Sequence, residues 1–283
     1  MAAAGSSASS SRAPLPAAIE ALAAQPLGQL AVLLDFDGVL SPIVEDPAAA
    51  RPDPQSKAAL ATLAPSLALA ACITGRAALQ ARDLLGLPEF TYSGLHGAEL
   101  LLPGAEVPIV PEAFAADAQR VAALIAEAEA EPDGLADLAV EHKGPIVALH
   151  WRRSEDPARA EARARELGAR AEAAGLRAGA GRAVLELRPG LKVTKGDGLR
   201  ALLSGAPDAK TVLVAGDDVT DLDAFAAAAE LRAEGRLTAA VRIAVSGPDA
   251  PPEVAAAADV VLADPAELGA LLSALASRAP AGG

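Results

Sequence analysis

The chain has 283 residues, of which 52% are hydrophobic and 2% aromatic, and its formal net charge is −13. An acidic balance of this size argues against nucleic acid as a partner, since binding it needs a basic face, and disfavours binding to an anionic membrane. Because no apolar run of about 18 residues is free of charge, we expect a soluble protein in spite of the mean hydropathy of +0.29.

The single cysteine, Cys72, excludes an internal disulfide and is typical of a reducing compartment. Residues 1–15 are small and polar without a continuous apolar core, so we expect a disordered tail and not a secretory signal. These two observations predict a cytoplasmic protein. Oligomeric state is left open by the sequence.

The first part of the chain alternates strands with helices. Short apolar runs at 31–34 and 67–73 predict buried strands, and helices are expected at about 54–64 and 77–85. A further short strand is expected in TYSGLHG, from Thr91. Strands alternating with helices are typical of an α/β fold with a parallel sheet.

The pattern changes between about residues 105 and 187. A long helix at 111–131 precedes two strands joined at Gly144, and a charged helix from about 156 precedes a hairpin that we expect to turn at glycine. Strands paired in hairpins with helices between them indicate an inserted α+β domain. We therefore predict a core formed by 16–104 and 188–283, and a cap formed by 105–187.

The alternating pattern returns after this insert. A helix is predicted at 195–203, a strand in TVLVAGDD, a helix from about Thr220, two short strands in RIAV and DVVL, and a last helix. Ligands of open α/β sheets bind beyond the carboxyl ends of the strands. Polar side chains follow three of the predicted strands at that point: Asp35 and Asp37, Thr74, and Asp217 with Asp218.

These residue types suit phosphoryl transfer. Asp35 can act as a nucleophile and Asp37 as the acid and base that moves protons. Thr74 and Lys195 would hold the phosphoryl oxygens. Clustered carboxylates need a hard cation, and Mg²⁺ prefers oxygen ligands. Our expected metal-binding residues are Asp35, Asp37 (through a backbone carbonyl), Asp217 and Asp218, with Asp221 an alternative to Asp218.

Each signal taken alone also has a structural explanation. An Asp-x-Asp pair can form a turn, acids at a helix start favour the helix dipole, and a single lysine is usually solvated. The conjunction of four such sites at one sheet edge, in this order, favours the catalytic interpretation.

The segments DFDGVLSPI, ITGR, TKGDGL and GDDVTD resemble the four motifs of the haloacid dehalogenase superfamily of aspartyl phosphatases. Within it, TYSGLHGAEL, VEHKGPIVALHWR and LELRPGLKVTKG are similar to the trehalose-6-phosphate phosphatase family. The resemblance covers about residues 27–272. It implies a doubly wound parallel-sheet α/β core with an inserted α+β cap, and it gives Asp35, Asp37, Thr74, Lys195 and Asp217 the roles described above.

The resemblance also implies residues that bind substrate. They are Gly75, Arg76, His96, Glu141, Lys143 and Arg188, with the cap pair Glu141 and Lys143 facing sugar hydroxyls. Two structural readings stay open: His96 as a loop histidine bonded to backbone, and the cap pair as a solvated edge. The chain departs from the family pattern at His142, at Val193–Thr194 and at Leu222.

The function that the sequence predicts is magnesium-dependent hydrolysis of trehalose 6-phosphate through an aspartyl phosphate, a step of trehalose biosynthesis with a small-molecule substrate. One alternative is a phosphatase of the same superfamily acting on another sugar phosphate. A second is a non-catalytic signalling protein that accepts phosphate on aspartate. Asp37 argues against the second, because a lasting phosphoaspartate needs no proton-transfer group beside it.

Overall fold

The computed structural model describes residues 20, 22, 24–132, 134–135, 137–247 and 250–279. The tail expected at 1–15 lies outside the described residues. Within these ranges no helix is both long and apolar enough to cross a lipid bilayer.

Eleven strands are present in the described residues. In chain order they are β1 (Leu30–Leu34), β2 (Leu69–Ile73), β3 (Thr91–Gly94), β4 (Glu99–Leu101), β5 (Ala139–Lys143), β6 (Ile146–His150), β7 (Arg177–Gly181), β8 (Val184–Arg188), β9 (Thr211–Gly216), β10 (Ala239–Val245) and β11 (Val260–Leu262). They form a seven-stranded sheet in the order β11-β10-β9-β1-β2-β3-β4 and a four-stranded sheet in the order β5-β6-β8-β7.

Eight α-helices of the described residues pack on these sheets. They are α1 (Pro54–Leu63), α2 (Ala78–Leu85), α3 (Glu112–Glu129), α4 (Pro157–Ala173), α5 (Lys195–Ser204), α6 (Asp221–Ala233), α7 (Pro252–Ala257) and α8 (Pro265–Ala276). Three of them begin with an Asp-Pro pair, in which the aspartate accepts a bond from a backbone N–H of the first turn and proline occupies the first helical position.

The large sheet is buried on both faces. All five residues of β1 are buried, and its side chains alternate between two apolar clusters. Leu30, Val32 and Leu34 pack in one cluster, and Ala31 and Leu33 pack in the other. This three-layer packing confirms the predicted α/β fold, with one difference: β4 runs antiparallel at the sheet edge.

The four-stranded antiparallel sheet and its two helices lie within residues 112–188, in the segment predicted as the cap. One sheet face packs on α3 and α4 through Val147, Leu149, Leu185 and Leu187. The other face carries charged side chains. The division into core and cap remains a prediction.

Two local expectations were wrong, and two short elements were not predicted. The hairpin at 177–188 does not turn at glycine: Arg182 and Ala183 join the strands, and Ala183 takes the left-handed φ of 58°. The first of the two strands predicted around Gly144 was expected to begin near Leu135, but it covers only 139–143. Strand β4 and helix α7 were not predicted, because each is too short to show a period.

Candidate active site

The sheet register brings three strand ends together. Leu34 of β1 pairs with Cys72 of β2 on one side and with Ala215 of β9 on the other, and all three strands are parallel. The residues that follow, Asp35, Thr74 and Asp217, therefore lie at one sheet edge, as the sequence predicted. A cleft of about 1040 Å³ opens there. Its lining includes the predicted site residues Asp35, Asp37, Gly75, His96, Lys195, Asp217 and Asp218.

Lys195 is the first residue of helix α5, and this helix begins at the same edge of the sheet. A capping box between Thr194 and Asp197 holds that helix start. Lys195 is only 3% exposed, and its Nζ donates to Asp35 Oδ2 and to Asp221 Oδ1, both at 2.7 Å. Burial disfavours the ammonium form, but the two carboxylates outweigh this effect and raise the pKa of Lys195. The cation is therefore fixed beside the expected nucleophile.

Three buried carboxylates form the one cluster of metal-ligand type in the described residues. Asp35, Asp217 and Asp221 each offer an oxygen within 4.8 Å of the others. One residue whose carboxylate was expected at the metal, Asp218, is absent from this cluster: it is exposed, and its Oδ1 accepts from the N–H of Val219. The expectation for Asp37 concerned its backbone carbonyl, and its carboxylate bonds Arg76.

The three members of the cluster differ in their hydrogen bonds. Asp221 accepts from Lys195 Nζ and, at 3.1 Å each, from the amides of Asp217 and Asp218. Asp35 Oδ1 accepts from the N–H of Phe36. Among the described residues, the Asp217 carboxylate has no hydrogen-bond donor. Asp217 is therefore the free ligand of the group, and Asp221 orients Lys195.

The electrostatics of the cluster fit a divalent cation. Burial raises the pKa of Asp35 to about 8, and the Lys195 ammonium only partly offsets this effect. Burial, followed by the repulsion of Asp221, raises the pKa of Asp217 to about 7. A hard cation among these oxygens would favour the ionised forms that a carboxylate nucleophile and a metal ligand require.

Gly38 makes room for this cluster. Its φ is +73°, and a Cβ built on it would lie 2.0 Å from Asp217 Oδ2. We expect Gly38→Ala to lower the free energy of unfolding by about 1–2 kcal/mol and to reduce the phosphatase activity that the sequence predicts, because the left-handed backbone is strained and Asp217 must move. Urea unfolding and phosphate release would measure the two effects.

The matched control for this change is Gly28→Ala. A Cβ at Gly28 meets no atom within 4 Å and its φ is not left-handed. Equal behaviour of the two variants would contradict the role given to Gly38.

Thr74 and Arg76 occupy the loop after β2. Thr74 is fully buried, and its Oγ1 accepts from the N–H of Arg76 at 3.2 Å, which leaves the hydroxyl proton free to donate. Arg76 was predicted to bind substrate. In the structure its guanidinium forms an ion pair with Asp37.

His96 packs against this loop, and its backbone N–H donates to the carbonyl of Thr74 at 2.9 Å. It takes a left-handed φ of 58°, and its ring packs so closely on Gly75 that a Cβ there would lie 2.8 Å from Cε1. Burial, then the charges of Lys195 and Arg188, lower the pKa of His96, which favours a neutral imidazole. Its buried Nδ1 has no partner within the described part of the chain.

The open face of the cap sheet carries a chain of charged contacts. Lys143 Nζ lies 3.4 Å from Glu141 Oε2 and 3.2 Å from Glu186 Oε1, and Glu186 also pairs with Arg188. Glu141 further contacts His150 Nε2 at 2.9 Å. The hydrogen bond with His150 lowers the pKa of Glu141, so the face presents ionised acids and bases together.

His142 does not belong to this face. It pairs with Val147, whose side chain is buried against the cap helices, whereas Glu141 pairs with Ala148. Successive residues of a strand point to opposite sides, so His142 points away from Glu141 and Lys143. The departure from the family pattern at this position therefore leaves the charged face unchanged.

A smaller cavity of about 200 Å³ lies between the cap face and the core. It is lined by His96 and Lys195 on one side and by Arg177 and Arg188 of the four-stranded sheet on the other. Glu141 and Lys143 line neither cavity. Sequence reasoning missed Glu186 and Arg177; the alternation in LELR could have placed Glu186 beside Arg188 on one strand face.

Comparison with known sequences places this arrangement in a family. The family described as Trehalose-phosphatase matches residues 33–257. The chain is 36% identical over 233 residues to the trehalose-phosphate phosphatase of Mycobacterium marinum, covering 75% of this chain and 55% of that protein. It is 38% identical over 206 residues to that of Mycobacterium avium, covering 69% and 50%. The chain thus spans about half the length of these relatives.

Solved structures agree on the fold. The trehalose-6-phosphate phosphatase of Aspergillus fumigatus superposes with a TM-score of 0.60 at 26% identity, covering 88% of this chain and 93% of that one. The C-terminal domain of the Candida albicans enzyme gives 0.61 at 25% identity, covering 88% and 92%. A haloacid dehalogenase-like hydrolase from Bacteroides thetaiotaomicron gives 0.53 at 17% identity, which concerns the fold alone.

Proposed function

Since this chain belongs to the trehalose-phosphatase family, we propose that it is a phosphatase that hydrolyses trehalose 6-phosphate to trehalose and inorganic phosphate. The observation that carries the proposal is the position of Lys195 Nζ, 2.7 Å from Asp35 and 2.7 Å from Asp221 at the end of the central strand. A fixed cation beside a buried carboxylate suits a nucleophile that must approach an anionic phosphate.

In the first step Asp35 attacks phosphorus. A bond forms between a carboxylate oxygen and phosphorus, the bond between phosphorus and the sugar oxygen breaks, and that oxygen takes a proton from Asp37. Lys195 and the Thr74 hydroxyl balance charge on the transferring oxygens. Asp37 is two residues beyond the nucleophile and lines the same cleft, which supports this assignment.

In the second step water replaces the aspartate. Asp37, now ionised, takes a proton from the water, whose oxygen bonds to phosphorus while the bond from phosphorus to Asp35 breaks. Inorganic phosphate leaves, and the Asp35 carboxylate is restored. The sugar carries away the proton that Asp37 gave up, and water replaces it, so both aspartates end in their starting states and water is the only co-reactant.

Asp35 and Asp217 would hold Mg²⁺, with Asp221 behind them. Their oxygens are close enough to share one ion, and carboxylates are the ligands that Mg²⁺ prefers. When bound, Mg²⁺ supplies positive charge that lets the phosphate approach the acidic cluster.

The cap would bind the sugar. Carboxylates accept and ammonium or guanidinium groups donate hydrogen bonds, which suits hydroxyls that do both. Glu141, Lys143, Glu186 and Arg188 supply these groups from one sheet face. We propose that residues 105–187 act as a cap that covers the cleft and sets the sugar specificity, with His96 and Gly75 below it.

The assignment is tested by phosphate release from a panel of sugar phosphates at saturating Mg²⁺. We expect the highest kcat/KM for trehalose 6-phosphate, roughly tenfold or more above glucose 6-phosphate, because the smaller sugar leaves part of the cap face unpaired. High activity on several hexose phosphates with none on the trehalose ester would overturn the assignment in favour of another sugar phosphate. A phosphoprotein that forms once and does not turn over would identify a signalling module.

A further inference from the structure

Arg76 and Asp37 form a two-pronged ion pair. Arg76 Nε donates to Asp37 Oδ2 and Nη2 donates to Asp37 Oδ1, each at 2.7 Å. Both carboxylate oxygens are therefore held in the plane of one guanidinium. Such paired, charge-assisted bonds restrict the rotation of the acid more than a single bond does.

The arginine is itself held on several sides. Its Nη1 donates to the carbonyl of Pro47 at 2.9 Å, and its guanidinium lies 5.2 Å from the ring centre of the buried Phe36. Its carbonyl accepts from the N–H of Leu95. Arg76 thus joins the segments that follow β1, β2 and β3, and it is a rigid support for the acid.

Exposure distinguishes the two members of the pair. The Arg76 side chain is 8% exposed, whereas that of Asp37 is 41% exposed. Asp37 lines the large cleft and Arg76 does not. A substrate in the cleft would therefore meet Asp37, with the arginine behind it.

From these contacts we propose that Arg76 is a positioning residue, which holds the Asp37 carboxylate in place for proton transfer and does not bind the sugar phosphate. This inference rests on the proposed two-step phosphatase reaction. Proton transfer needs the acid within hydrogen-bond reach of the sugar oxygen and later of the water. An unsupported aspartate would spend most of its time in other rotamers.

A double-mutant cycle tests the proposal. We expect Arg76→Ala to lower kcat on trehalose 6-phosphate by about 10²-fold, with KM changed less than about threefold. Because both changes disable the same group, Arg76→Ala combined with Asp37→Asn should be no slower than Asp37→Asn alone. Arg76→Lys should recover only part of the rate, because an ammonium cannot bond both oxygens in one plane.

A second substrate separates positioning from binding. The leaving group of p-nitrophenyl phosphate needs no proton, so Arg76→Ala should still carry out the first step. The expected result is a burst of nitrophenolate with an amplitude of one mole per mole of enzyme, followed by slow release of phosphate. Added guanidinium ion should raise the slow rate. Arg82→Ala is the control, since Arg82 bonds to the carbonyl of Ala105 and to Asp83 outside the cleft. Guanidinium should not affect it.

The outcomes are distinct. Additive losses in the cycle, or a KM increase that accounts for the whole effect, would overturn the proposal and return Arg76 to substrate binding. If the circular dichroism spectrum shows that Arg76→Ala does not fold as the wild type does, Arg76→Lys takes its place in the test. A rate for Arg76→Lys no higher than that of Arg76→Ala would also overturn the proposal. If the wild type hydrolyses p-nitrophenyl phosphate but not the trehalose ester, the sugar assignment fails. The same variants assayed with p-nitrophenyl phosphate then still test whether Arg76 positions Asp37. An enzyme inactive on both would overturn both.

Discussion

Asp35→Asn is expected to lower phosphate release by at least about 10⁴-fold while the protein stays folded. An amide oxygen is a poor nucleophile, so no aspartyl phosphate forms and the first step stops. Asparagine has the size of aspartate, and Lys195 keeps its bond to Asp221, so the packing at the end of β1 should survive. Initial rates of phosphate release and the circular dichroism spectrum would measure the two quantities.

The control for this change is Asp208→Asn, which removes the same charge from an exposed residue outside the cleft. Its rate should stay near that of the wild type. The mass of the Asp35→Asn protein must be checked, because deamidation restores the aspartate. A near-wild-type rate from a sample free of deamidation would rule out Asp35 as the nucleophile.

Removal of divalent cations is expected to reduce turnover to background. In the absence of a cation, burial raises the pKa of Asp35 to about 8 and that of Asp217 to about 7, so at neutral pH neither carboxylate is fully ionised. Dialysis against EDTA should silence the enzyme and Mg²⁺ should restore it. Ca²⁺, which takes more ligands at longer distances, should restore little activity.

The role of Asp217 as a metal ligand is tested by Asp217→Asn. This change should raise the Mg²⁺ concentration needed for half-maximal activity by at least about tenfold. Asp218→Asn is the matched variant one residue away, and its exposed side chain predicts a small shift. Full activity after EDTA treatment would remove the metal from the mechanism. A larger shift for Asp218→Asn than for Asp217→Asn would mean that Asp218 holds the metal and that the buried cluster is not the metal site.

The convergence of Asp35, Thr74 and Asp217 was predictable because it depends on local patterns. Each residue follows a short apolar run, and parallel strands present their carboxyl ends at one edge. The position of Lys195 was predictable for a similar reason, since Thr194 and Asp197 mark the start of its helix. Weak local signals failed: β4 has three residues and was missed, and the turn at Ala183 has no glycine.

The sequence does not show which side chains bond to each other when they are far apart in the chain. Arg76 bonds Asp37 from 39 positions away, and Lys195 bonds Asp35 from 160 positions away. Residue type and spacing indicate which groups stand at the cleft. They do not show that the guanidinium of Arg76 bonds the carboxylate of Asp37.

The choice between Asp218 and Asp221 illustrates the same limit. Both follow β9 within five residues, but the turn before α6 directs Asp221 into the buried cluster and leaves Asp218 exposed. Amino-acid order was sufficient for the α/β fold, for the sheet edge that carries the chemistry and for the kinds of group gathered there, because strand pattern and helix caps are local. The pairing of Arg76 with Asp37, the place of Asp221 and the charged face shared by Glu141 and Glu186 required the folded chain, since each depends on rotamers and packing between segments that are distant in sequence.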